Sequence, residues 1–123
     1  MIEGVNVRSD IPKWLVKNGY KVGAEIGVYK GGYTELFLKE GLKMYAIDPY
    51  AVYSEERNQG RQDALYGYAS GVIAQYPNGT LIRKSSLEAV KDFEDESLDF
   101  VYIDGDHSFQ SCLEDITEWA RKV

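Results

Sequence analysis

At 123 residues, 44% hydrophobic and 28% charged, the chain has the length and apolar content of one domain, 1–123, with its own core. Its formal net charge of −6 excludes the basic character on which nucleic-acid or acidic-membrane binding rests, so a small-molecule or peptide partner is expected. Cys112 is the one cysteine, which rules out an internal disulfide and a cysteine-built zinc site; no apolar run has membrane-spanning length and the start MIEGVNVRSD lacks a secretion pattern, so the cytoplasm is the expected compartment.

Residues 1–9 read as an irregular lead-in. Ser9 or Asp10 can cap a short helix with Pro12 in its first turn, Trp14, Leu15 and Val16 on its apolar side, and Asn18-Gly19 as its stop. A helix of this kind packs over one end of a sheet. Residues 22–28 then read as a buried strand carrying Glu25, followed by a turn dense in glycine (Gly27, Gly31, Gly32) and a helix with Leu36, Phe37 and Leu38. A strand running into a helix through glycines presents bare backbone N–H groups above the strand end, a place for a polar small molecule. The turn is not G-x-G-x-x-G, and an acid two residues before its first glycine repels a pyrophosphate. That acid can accept from an amino group or a ribose hydroxyl, so a zwitterionic or cationic ligand is favoured.

Gly41 closes this helix and Lys43–Ile47 forms a second strand, ending at Asp48-Pro49-Tyr50. Asp48 lies 23 positions beyond Glu25, close to the offset of roughly 20 at which an acid takes a ribose in doubly wound folds. A plain strand-end turn residue is the other reading of Asp48. Pro49 turns the chain across the sheet. Residues 53–76 predict one long or broken helix, interrupted near Gly60, Gly67 or Gly71 and stopped by Pro77. Asn78-Gly79-Thr80 has the glycosylation spacing but reads as a turn. Residues 80–84 are a third strand, and Ser85-Ser86-Leu87-Glu88 has capping-box spacing for a helix reaching about Phe93. Residues 98–103 are a fourth strand whose apolar density predicts a central position. A last helix over 108–122 shows a core-facing stripe of Phe109, Cys112, Leu113, Ile116, Trp119 and Ala120, with Cys112 as a buried thiol.

Two segments carry a family resemblance. Glu25-Ile26-Gly27-Val28-Tyr29-Lys30-Gly31 resembles the first motif of class I S-adenosylmethionine-dependent methyltransferases of the small-molecule O-methyltransferase branch. Residues 99–109, D-F-V-Y-I-D-G-D-H-S-F, resemble the D-G-D-H signature of macrocin-type sugar O-methyltransferases. With Glu25, Asp48 and the order of elements, the likeness covers residues 11–123.

The resemblance implies an α/β fold, a Rossmann-like doubly wound and mainly parallel sheet with about four strands here. Its ligand site would lie beyond the carboxyl ends of the strands, where the order reverses between the first and the fourth. The implied cofactor is S-adenosyl-L-methionine, held by Glu25, Gly27, Tyr29, Gly31, Asp48, Pro49, Asp104 and Gly105, with Ser86 near the adenine ring. The cap suffices to explain the Ser85-Ser86 pair without that contact. His107 is the implied general base toward a hydroxyl of a small molecule or sugar. Carboxylates at Asp104 and Asp106 would favour its protonated form. Asp104 is also the implied seat of a Mg2+ ion that steers the acceptor oxygen in some members, although such an ion wants about six oxygens and two acids do not supply them. Thr34 is expected to serve where the family commonly has a small hydroxyl residue at Gly32-Tyr33. The family fold has strand order 3-2-1-4-5-7-6 and this chain stops after the helix following its fourth strand, which leaves one edge open. A trimmed chain, a naturally short protein, or a half whose edge another chain or a second copy covers would each account for it. Two other functions stay open: a cofactor-binding or interaction module that transfers nothing, and an NAD- or nucleotide-sugar-binding half-domain.

Overall fold

The computed structural model of the chain describes residues 5–51, 59–104 and 109–123. A 3-10 turn at Arg8–Asp10 leads into α1 (Ile11–Lys17), then β1 (Val22–Ile26), α2 (Gly32–Lys39), β2 (Lys43–Ile47), α3 (Gln59–Ile73), β3 (Gly79–Ile82), α4 (Ser86–Ala89) with a further turn at Val90–Asp92, β4 (Phe100–Ile103) and α5 (Phe109–Ala120). The strands form one parallel sheet in the order β3-β2-β1-β4, so the direction of winding reverses between β1 and β4.

Period-two alternation along the strands sorts the side chains into two layers. Met44 and Ala46, with Phe100 and Tyr102, face a core built with Leu15 of α1, Phe37 and Leu38 of α2, and Ala69 and Ile73 of α3. Ala24, Ile26 and Ile47, with Val101 and Ile103, face the other core, built with Ala89, Val90 and Trp119. Gly23 is required where β1 passes β4. A Cβ there would stand 2.2 Å from the Phe100 ring, which lies across it and stacks on Phe37 with centroids 5.8 Å apart.

Four expectations are corrected. The α3 helix runs unbroken through Gly60, Gly67 and Gly71, because burial of Gln62, Ala69 and Ile73 outweighs the cost of about 1 kcal/mol that each interior glycine adds. Its expected start at Tyr53 lies outside the described residues. β4 is an edge strand among the described residues rather than a central one. Its apolar density reflects cover on both faces, Phe100 and Tyr102 toward one core and Val101 and Ile103 toward the other. In α5, Trp119 of the expected stripe is buried, but Asp115 is buried with it while Leu113 and Ile116 are 47% and 53% exposed and Ala120 is exposed too. The helix is turned so that Ser86 donates to Asp115 and the Phe93 and Trp119 rings meet at 5.2 Å. The side chains of Phe109 and Cys112 lie outside the described set. Val16, finally, is exposed, and only Trp14 and Leu15 of its trio turn inward. Among the described residues no helix is long and apolar enough to cross a membrane.

Candidate functional site

The turn after β1 is tied down atom by atom. Gly27 takes φ +92°, and its N–H donates to the Ile47 carbonyl at 2.9 Å. The Asp48 carboxylate then receives three backbone N–H groups: Val28 at 3.0 Å and Tyr29 at 3.3 Å on Oδ2, and Tyr50 at 2.8 Å on Oδ1. The Tyr50 hydroxyl donates to the Tyr29 carbonyl at 2.8 Å. These bonds hold Tyr29, a residue 56% exposed, at φ +59°, a left-handed conformation that residues with side chains rarely adopt. Gly31, at φ +82°, opens α2, and a Cβ there would lie 3.4 Å from the Ala69 backbone. Asp48 is therefore the turn residue of one reading. A carboxylate has about four acceptor positions, so it keeps capacity for a hydroxyl beyond its three backbone donors. Pro49 sits half-buried in the same turn.

Glu25 lies beneath this turn. It was expected to meet a ligand's amino or hydroxyl group, but it is only 1% exposed and accepts a hydrogen bond from the hydroxyl of the fully buried Thr34. Thr34, expected to face the cofactor, spends its proton on Glu25. Burial pushes the Glu25 carboxyl up to about 7, opposed by the Thr34 hydrogen bond and the Arg8 charge and reinforced by Asp48.

At the end of β4 the Asp104 N–H donates to the Ile26 carbonyl at 2.8 Å, extending the ladder beside the glycine turn. The Asp104 carboxylate is ion-paired with Arg8, both side chains being partly exposed. The Arg8 guanidinium lies 4.1 Å over the Tyr33 ring and 5.7 Å from that of Tyr102. The Tyr33 hydroxyl donates to the Arg8 carbonyl at 2.6 Å. Burial, with Tyr102 adding to it, pushes the Tyr33 phenol up to about 12, so it stays a donor. Asp10 folds the lead-in by accepting the N–H groups of Asn6 and Val7 at 3.0 and 3.1 Å. Arg8 was not singled out in the sequence, and nothing local marks it.

A hard cation does not fit what is described. Asp104 offers one carboxylate and already faces a guanidinium, and among the described residues no group of three His, Cys, Asp or Glu could hold a metal ion. Gly105, Asp106 and His107 lie outside the described residues. Ser85 makes the expected cap, accepting from the Glu88 N–H at 3.2 Å and donating to its carboxylate at 2.9 Å. The Ser86 hydroxyl goes to Asp115, which ties α4 to α5.

Asp48 and Asp104 thus stand at the ends of strands flanking β1, on either side of its glycine turn, with Arg8 spanning toward α2. The carboxylates of Asp48 and Asp104 and the guanidinium of Arg8 offer both signs of charge, which matches a zwitterion that also carries hydroxyls. A separate groove of about 570 Å³ between α4 and α5 is lined by Leu87, Val90, Leu113 and Thr117 and by none of these residues.

The sequence profile of a family described as a methyltransferase domain matches residues 24–123. No curated protein is matched by sequence. Among solved structures the fold is similar to a Staphylococcus aureus protein provisionally described as a caffeoyl-CoA O-methyltransferase, with a TM-score of 0.65 at 20% identity over 89% of this chain and 48% of that one. It is also similar to a SAM-dependent methyltransferase from Archaeoglobus fulgidus, with a TM-score of 0.61 at 17% identity over 98% of this chain and 50% of that one. The chain spans about half the length of both.

Proposed function

The chain belongs to the methyltransferase-domain family matched over residues 24–123, and we propose that it binds S-adenosylmethionine at the β1–β4 crevice and directs its methyl group to a hydroxyl of a small molecule or sugar. The observation that carries this reading is the pair Asp48 and Asp104 on either side of the glycine turn at the reversal of strand order. The cofactor supplies a methyl group on a sulfonium, which leaves the protein the tasks of alignment and proton removal.

Each residue then has a task. The remaining acceptor capacity of Asp48 takes a ribose hydroxyl. Gly27 and Gly31 let the nucleoside approach the backbone, and Tyr29 and Pro49 border it. Glu25 acts as a positioning residue, fixing α2 to β1 through Thr34. His107 receives the proton of the acceptor hydroxyl, with Asp104 and Gly105 shaping the approach. No step is assigned to Mg2+. A hydroxyl acceptor is supported by the description of the S. aureus neighbour.

Calorimetry with S-adenosylhomocysteine tests the reading. Heat of binding is expected for the wild type and its loss for Asp48→Ala, which frees the turn, and for Gly27→Val, whose side chain disfavours φ +92°. A wild type that gives no heat ends the proposal. A module that binds and transfers nothing is the second reading, favoured by the Arg8–Asp104 pair across the site. Methyl transfer from labelled cofactor to a panel of hydroxylated small molecules separates the two, and loss of turnover with retained affinity in His107→Ala would assign the base.

A further inference from the structure

We propose that Arg8 is the residue that recognises the carboxylate of the cofactor's amino-acid end, with Asp104 taking the neighbouring ammonium; this rests on the S-adenosylmethionine reading and deepens it. Among the described residues the crevice is otherwise acidic, with Asp48 and Asp104 at its sides and Glu25 below. A zwitterion placed there needs a cation for its carboxylate. Arg83 is engaged with Asp63 and lies 4.7 Å over the Tyr66 ring, and Lys30 lies beside the exposed Tyr29 ring on the outer turn. Among the described residues, Arg8 is the cation that joins the end of β4 to the start of α2 across the strand reversal.

The scaffold holds Arg8 ready. Asp10 closes the turn behind it, the Tyr33 hydroxyl fixes its carbonyl, and the Tyr33 ring supports its guanidinium, which leaves the planar fork free to slide between carboxylates. Its pair with Asp104 is partly exposed, and such pairs are weak enough to open readily. A bound amino-acid end exchanges that one ion pair for two, guanidinium to carboxylate and carboxylate to ammonium, with no net change of charge in the crevice.

The test compares S-adenosylhomocysteine with 5′-methylthioadenosine, a nucleoside thioether that lacks the amino-acid end. Calorimetry is run on the wild type, on Arg8→Met, which keeps an apolar stem over Tyr33, and on Arg8→Lys. Arg8→Met is expected to weaken S-adenosylhomocysteine by at least about tenfold and to leave methylthioadenosine within about twofold, with Arg8→Lys in between. Equal weakening of both compounds, no weakening, or tighter binding of S-adenosylhomocysteine overturns the role of Arg8 and leaves the cofactor reading standing. A wild type that binds neither compound overturns both.

Discussion

An acid sealed inside a parallel sheet must be neutral or matched, and Glu25 is partly each: 1% exposed, bonded to Thr34, and pushed up to about 7. Unfolded, it titrates near 4.5. Between those values the folded chain holds a proton that the unfolded chain has lost, so stability falls as pH rises through that window, by about 3 kcal/mol if the whole difference is expressed. Urea unfolding at pH 5 and pH 8 is therefore expected to show a larger loss for the wild type than for Glu25→Gln, which keeps a donor and an acceptor without the charge. The variant should be the more stable of the two at pH 8. A steeper loss in Glu25→Gln would refute the buried-acid account. The motif located Glu25 but not its direction, because a strand covered on both faces has no polar side to orient it. Arg8 is illegible for another reason: its partner Asp104 is 96 residues away, and no periodicity reports a contact that long.

At the level of elements, β2 ran over the residues its pattern predicted, and the Ser85 cap formed as its spacing required. Those features are decided locally, by apolar runs and by one side chain reaching its own helix. The facing of α5 is not. Leu113 and Ile116 fall on one side and Asp115 and Trp119, four apart, on another, so the sequence offers two faces and tertiary contact chooses between them. The choice follows the Ser86–Asp115 bond and the slot against Phe93. Truncation measures it. Trp119→Ala, which empties a site 1% exposed, is expected to cost about 3 to 5 kcal/mol in urea unfolding. Leu113→Ala, at 47% exposure, should stay within about 0.5 kcal/mol of the wild type. Comparable losses in the two variants would mean that α5 buries Leu113 along with Trp119.

The strand order is a property of the whole molecule, and local patterns do not contain it: four apolar runs separated by helices are compatible with several sheets, and the order β3-β2-β1-β4 was legible only through the family motif. That order makes the site a joint product of both layers. Asp48 and Asp104 come from strand ends, while Arg8 comes from the lead-in and is seated on Tyr33 of α2, so a ligand held between them opposes global unfolding and not just the fraying of one loop. A ligand present at a hundredfold excess over its Kd stabilises by about 2.7 kcal/mol, which for a domain of this size is a rise in Tm on the order of 10 °C. S-adenosylhomocysteine is expected to produce such a rise. NAD is not, because its pyrophosphate would bring two negative charges between the carboxylates of Asp48 and Asp104, and Arg8 can offset only one of them. A thermal-shift series with both compounds reads the difference directly. An NAD shift equal to or larger than that of S-adenosylhomocysteine would mean that the acids do not set the charge of the ligand, and the zwitterion reading of the crevice would fall with them.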